Sequence, residues 1–125
     1  VTFLIKFDEK KQSMSTSSVG IPTMTETNGT KEWTLNGQHH REDGPAIEMA
    51  DGTKIWFIRG KIHREDGHAI EFANGNKEWR LNGQLHRDDG PAIEWWTGNV
   101  EFYLKGLKCS EEELSCHMTL VKRAI

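Results

Sequence analysis

NGTKEWTLNGQHHREDGPAIEMA, residues Asn28–Ala50, decides the fold, because the chain repeats it twice at the same length. It returns as DGTKIWFIRGKIHREDGHAIEFA (Asp51–Ala73) and as NGNKEWRLNGQLHRDDGPAIEWW (Asn74–Trp96), a period of 23 residues without an insertion. A fourth copy opens at Thr97 (TGNVEFYLKG) and then changes character. Upstream, Pro22 stands 23 residues ahead of Pro45, so PTMTET (Pro22–Thr27) matches the tail of a unit. A fixed period of this length marks a repeat architecture in which each unit buries its apolar face against its neighbours.

Each unit carries two turn signals. Asn28-Gly29, Asp51-Gly52, Asn74-Gly75 and Thr97-Gly98 have the composition of two-residue hairpin turns, with glycine supplying positive φ. Pairing the residues that flank each turn predicts Met24 opposite Trp33, Ile47 opposite Trp56, Ile70 opposite Trp79 and Ile93 opposite Phe102. Such aromatic–aliphatic pairs are worth about 0.2–1 kcal/mol each. Leu35, Ile58, Leu81 and Leu104, two residues beyond each aromatic, join that face. Lys31, Lys54 and Lys77 fall opposite Glu26, Met49 and Phe72, their stems laid over apolar surface. The other face then collects Glu32, Glu48, Glu71, Glu78, Glu94 and Glu101, with Glu71 facing Glu78 and Glu94 facing Glu101.

The second connection runs through Asn36-Gly37 and then His40-Arg41-Glu42-Asp43-Gly44-Pro45. It recurs at His63–Gly67 and His86–Gly90. Asp accepts backbone hydrogen bonds and Gly permits a left-handed residue, so a turn is expected at each. Pro45 and Pro91 open strands where a lost donor matters least. Past the fourth copy, Ser110-Glu111-Glu112-Glu113 has the form of a capping box with acidic residues in the first turn. Leu114, Met118, Val121 and Ile125 share one helical stripe. A helix over 111–123 is predicted, closing the open end of the array.

The 23-residue unit, the Trp followed by Asn-Gly, the His and the Gly before the next strand resemble the MORN repeat family. The form HRxDGPA is similar to variants found in small bacterial, phage and giant-virus proteins. This chain has His-Arg-x-Asp-Gly where the commoner pattern has His-Gly-x-Gly. The resemblance covers residues 22–106. It implies a mainly β fold, an elongated twisted antiparallel sheet of stacked hairpins with a C-terminal capping helix, and a small viral protein that blocks a host or defence factor.

The totals narrow the function classes. At 125 residues the chain forms one domain, with residues 1–21 as an N-terminal strand and connector, 22–106 as the array and 107–125 as the cap. Thr2–Phe7 is β-branched and aromatic and is expected as a strand; Lys10–Val19 is a polar connector containing Met14, an alternative start. A net charge of −3 argues against direct nucleic-acid binding. No apolar run approaches the ~20 residues of a spanning helix, and the opening residues make a poor signal peptide. A cytoplasmic location follows as the expectation, host cytoplasm for a viral protein. Cys109 and Cys116 do not form a disulfide framework, and Cys-x6-Cys-His lacks the spacing of a zinc site. No cofactor or metal is expected.

Two chemical readings remain. The His-Arg-x-Asp-Gly turns offer a base, an anion clamp and an orienting carboxylate, so a phosphate- or nucleotide-binding site or an enzyme is the alternative function. Their threefold recurrence favours a structural network instead. The preferred function is a non-catalytic protein-interaction module. Departures between siblings point to its contact surface: Ile55 replaces Glu32 and Glu78, Phe57 and Tyr103 replace Thr34, and Trp96 replaces Ala50 and Ala73. Ile55, Phe57, Arg59, Arg80, Trp96 and Tyr103, beside Glu71, Glu78, Glu94 and Glu101, form the candidate site. Aromatics and Arg in a charged rim have the composition of a binding hot spot, and the glutamates suit a basic, nucleic-acid-handling protein partner. The apolar face also raises homodimerisation.

Overall fold

The computed structural model describes residues 20–124; the expected strand at Thr2–Phe7 and the connector at Lys10–Val19 lie outside them. Strands follow as β1 (Thr23–Thr27), β2 (Thr30–Leu35), β3 (Gln38–His39), β4 (Ile47–Glu48), β5 (Lys54–Ile55), β6 (Phe57–Ile58) and β7 (Lys61–Ile62). The next are β8 (Ile70–Glu71), β9 (Lys77–Glu78), β10 (Arg80–Leu81), β11 (Gln84–Leu85), β12 (Ile93–Glu94), β13 (Val100–Leu104) and β14 (Leu107–Cys109). A helix, α1 (Glu111–Ala124), ends the described chain. Ten strands form one antiparallel sheet in the order β14-β13-β12-β9-β8-β5-β4-β2-β1, with β3 paired to β2; β6–β7 and β10–β11 are separate hairpins. The architecture is mainly β, built of antiparallel hairpins, with α1 the single helix among the described residues.

The turn classes are distributed differently from the sequence expectation. Asn28-Gly29 is a two-residue turn with φ of 51° and 84°, and Met24 pairs with Trp33 as predicted. The other two-residue turns are Asn36-Gly37, Arg59-Gly60, Asn82-Gly83 and Lys105-Gly106, every residue at positive φ, as a type I′ turn requires. Around Asp51-Gly52 the loop holds three residues instead. Met49 N donates to Thr53 O at 2.8 Å, and Gly52, at φ 100°, donates to Met49 O. Phe72 with Asn76 and Trp95 with Asn99 repeat this geometry.

The reason lies in the neighbouring unit. Thr30 Oγ1 accepts from Ala50 N at 3.3 Å, Thr53 Oγ1 from Ala73 N at 3.1 Å, and Asn76 Oδ1 from Trp96 N at 2.7 Å. Each later loop is thus pinned at its first residue by a side chain of the preceding unit. The Asn28-Gly29 turn has no preceding unit among the described residues and closes on two residues.

One extra loop residue moves the register by one position, which transfers side chains between faces. Ile47 pairs with Ile55, Ile70 with Glu78 and Ile93 with Glu101, not with Trp56, Trp79 and Phe102. The expected pairs Glu71–Glu78 and Glu94–Glu101 do not exist. Lys31, Glu48, Lys54, Glu71, Lys77 and Glu94 line up across the sheet instead, a ladder of alternating charge that stabilises where the predicted one would repel. The next row reads Glu32, Ile47, Ile55, Ile70, Glu78, Ile93 and Glu101. One face therefore carries Trp33, Trp56 and Trp79 with the Lys/Glu ladder, and the other Ile47, Ile55, Ile70 and Ile93 with Glu32, Glu78 and Glu101.

The core is thin. Ala46, Ala69 and Ala92 are fully buried, and Ile70, Ile93 and Leu114 nearly so. Ala46 N donates to Ile55 O although Ile47 already opposes Ile55, so two residues face one, a β-bulge. Ala69 and Ala92 repeat it against Glu78 and Glu101. At the far end α1 packs on β13. Its capping box forms as expected: Ser110 Oγ accepts from Glu113 N at 3.1 Å, and Glu113 Oε1 accepts from Ser110 N at 2.8 Å.

Candidate partner surface and the repeated turns

Short side chains and close packing explain the His-Arg-x-Asp-Gly sequence. Arg41 lays its guanidinium over the Trp33 ring at 3.8 Å; Arg64 and Arg87 do the same over Trp56 and Trp79 at 4.2 and 3.9 Å. Each Arg Nε donates to the Asp two residues on, at 3.0 Å. Each Nη1 donates at 3.1 Å to the carbonyl four residues on, of Pro45, His68 and Pro91. In the first and third units it also reaches Glu48 and Glu94, at 3.4 and 3.1 Å. A Cβ at Gly44, Gly67 or Gly90 would come within 3.0, 3.2 or 2.9 Å of the Arg Cζ. Glycine serves here by lacking a side chain, not by taking a left-handed conformation as the sequence suggested.

The histidines join consecutive units. His40 Nδ1 accepts from Arg59 N at 2.9 Å, His63 Nδ1 from Asn82 N at 2.9 Å, and His86 Nδ1 from Lys105 N at 2.8 Å. All three donors open type I′ turns at positive φ. With Nδ1 accepting, the neutral ring carries its proton on Nε2, which points to Glu42, Glu65 and Asp88 at 3.2–3.3 Å. The first of the three rings is buried, at 4% exposure. Gly60, Gly83 and Gly106 N add a second set of bonds, to the carbonyls of His39, Ile62 and Leu85. Cys109 takes the slot of His86 one period later, where the row ends. Partial burial and the nearby Glu113 push its thiol up.

Sequence reasoning missed His68, which replaces the proline of the sibling units. Its ring meets Trp56 and Trp79 edge-on at 5.8 and 5.6 Å, and its Nε2 lies 2.8 Å from Glu71 Oε1. That hydrogen bond holds the Glu71 carboxyl below its ordinary value; partial burial opposes it, and the charges of His68, Lys54 and Lys77 assist. A carboxylate with a depressed folded pKa contributes stability above its unfolded pKa and loses it as pH falls through the folded value. His68→Ala is therefore expected to raise the Glu71 pKa and to reduce the stability lost on acidification through the carboxylate range. An NMR titration of the Glu71 side-chain carboxyl, beside denaturation curves across that range, measures both.

The candidate site residues divide among four places. Ile55, Phe57, Glu78, Arg80, Glu101 and Tyr103 come together on the isoleucine face. There Arg80 pairs with Glu78 at 2.8 Å, Tyr103 Oη donates to Glu101 at 3.1 Å, and His39 packs 5.1 Å from Phe57. The bond to Glu101 raises the Tyr103 pKa. Glu71 and Glu94 lie on the tryptophan face, bound to His68 and Arg87, because the register moved. Trp96 sits in a three-residue loop, 68% exposed, and Arg59 in a two-residue turn beyond the other end of β5. Among the described residues no cluster of His, Cys, Asp and Glu is suited to hold a metal ion, and no helix is long and apolar enough to cross a membrane.

No protein-family model matches the chain, and neither a curated protein nor a solved structure matches it.

Proposed function

We infer that this chain is a non-catalytic protein-binding module whose contact surface is the isoleucine face. The observation that carries this reading is an apolar and aromatic strip left partly open on a sheet. Ile47, Ile55, Phe57 and Tyr103 are half-buried, while Met49 and Trp95, on the same side by strand alternation, are 40% and 39% exposed. Exposed apolar surface of this kind, rimmed by charge, marks interaction sites. Glu32, Glu78 and Glu101 interrupt the strip, Glu32 paired with His39, Glu78 with Arg80, and Glu101 with Tyr103 and Lys108. A protein presenting an apolar anchor between basic side chains complements it. The resemblance to phage-type repeats supports a narrower reading, an inhibitor of a host or defence factor.

The alternative, an anionic ligand or substrate at the His-Arg-x-Asp-Gly turns, gains little from the geometry. Each guanidinium is already stacked and hydrogen-bonded, and neighbouring carboxylates repel an added anion. Capture of partners by the immobilised chain tests the preferred reading. Phe57→Ala with Tyr103→Ala is expected to abolish capture while leaving the thermal midpoint within a few degrees; retention of the same partners by the double variant would sink it. Light scattering of the free chain separates this from self-association, which would give a dimer mass lost in the same variant.

A further inference from the structure

On the opposite face, the gaps between successive turns form one groove repeated three times. The middle groove is lined by the Arg41–Gly44 turn, Trp56, Ile58 and the His63–Asp66 turn. The third is lined by the residues 23 positions on, from the Arg64–Gly67 turn and Trp79 to Asp89. The first uses Gly20, Ile21 and Pro22 with Trp33 and the Arg41–Asp43 turn. Their volumes are about 390, 840 and 530 Å³ in chain order. Each has a half-buried tryptophan, and each later rim carries exposed carboxylates: Glu42 and Asp43, Glu65 and Asp66, then Asp88 and Asp89. Among the lining groups the arginines are turned onto the tryptophans and paired with Asp43, Asp66 and Asp89, Arg41 and Arg87 also with Glu48 and Glu94, so the outward charge is negative.

The spacing selects the occupant. One unit contributes two strands to the main sheet, which puts neighbouring grooves about 9.6 Å apart at ~4.8 Å per strand. A polyproline II helix advances about 9.3 Å per turn of three residues, so every third side chain points the same way at nearly that interval. A β-strand alternates sides and presents no such period. Aromatic-lined grooves are the usual seat of polyproline segments, and a carboxylate rim accepts ammonium or guanidinium groups. We propose that the row of turns binds an extended, proline-rich basic segment of a partner protein, laid across the strands with one Lys or Arg in each groove.

The test uses three synthetic peptides with three lysines each, spaced every second, third or fourth residue and filled with proline. The every-third peptide should bind about tenfold tighter than the other two, since only it engages all grooves at once. It should also shift the indole N–H signals of Trp33, Trp56 and Trp79, and weaken with added salt. Glu42→Gln with Glu65→Gln keeps an acceptor for each histidine and should lower the affinity about tenfold. Phe57→Ala should leave peptide binding unchanged, which keeps this surface distinct from the isoleucine face. Equal affinity for the three spacings, unmoved indole signals, or loss of binding in Phe57→Ala would each overturn the proposal.

Discussion

Trp79→Ala is expected to lower the unfolding free energy by about 3 kcal/mol. Trp79 carries the Arg87 guanidinium at 3.9 Å and the edge of His68 at 5.6 Å. Its backbone N–H holds Ala92 O, and its carbonyl holds His86 N. Truncation leaves those backbone bonds but removes the plate on which Arg87 lies; a desolvated cation–π contact alone is worth about 1–2 kcal/mol. Arg87, once free, gives up well-placed bonds to Asp89, Pro91 O and Glu94. A repeat array holds by contacts between neighbours, so damage at an inner unit uncouples what lies on either side. Trp96→Ala, at a 68% exposed position, should change stability by no more than about 0.5 kcal/mol. Chemical denaturation of the two variants makes the comparison, and a Trp79→Ala loss as small as that of Trp96→Ala would show that the stack carries no weight.

His40→Ala is expected to cost about 2 kcal/mol. The ring is 4% exposed, and its Nδ1 is the acceptor for Arg59 N. Without it, a backbone donor at a strained positive φ of 52° is left without its partner, and desolvated donors that lose partners cost about 1–3 kcal/mol. The joint between the first and second units should open first. Hydrogen exchange at the Arg59 amide reports this directly: faster exchange in His40→Ala, partly restored in His40→Asn, whose Oδ1 stands near the position of Nδ1. Unchanged protection at Arg59 in the alanine variant would remove the histidine from its role as a joint.

Much of this was legible in the residues. The 23-residue period, the Met24–Trp33 register and the Ser110–Glu113 cap follow from local chemistry; the hairpins that close at Asn36-Gly37, Arg59-Gly60, Asn82-Gly83 and Lys105-Gly106 doubled the expected four. The pairing of the later hairpins was not legible. Asp51-Gly52 and Asn74-Gly75 have the same local composition as Asn28-Gly29, yet close on three residues. Six of the ten candidate contact residues still fell on one face, because Glu78 with Arg80, and Glu101 with Tyr103, are two apart in a strand and share a side in any register.

The chain by itself determined that tryptophans and the glutamates beside them, Glu32 and Glu78, point to opposite sides, because adjacent residues in a strand must. Only the tertiary structure decided which face the isoleucines join. That choice rests on Thr30, Thr53 and Asn76, each bonding to a backbone N–H 20 residues away and lengthening the loop there by one residue. A hydrogen bond across that separation appears in no window of the sequence, and with a side-chain period of two, one residue is enough to turn a strand over.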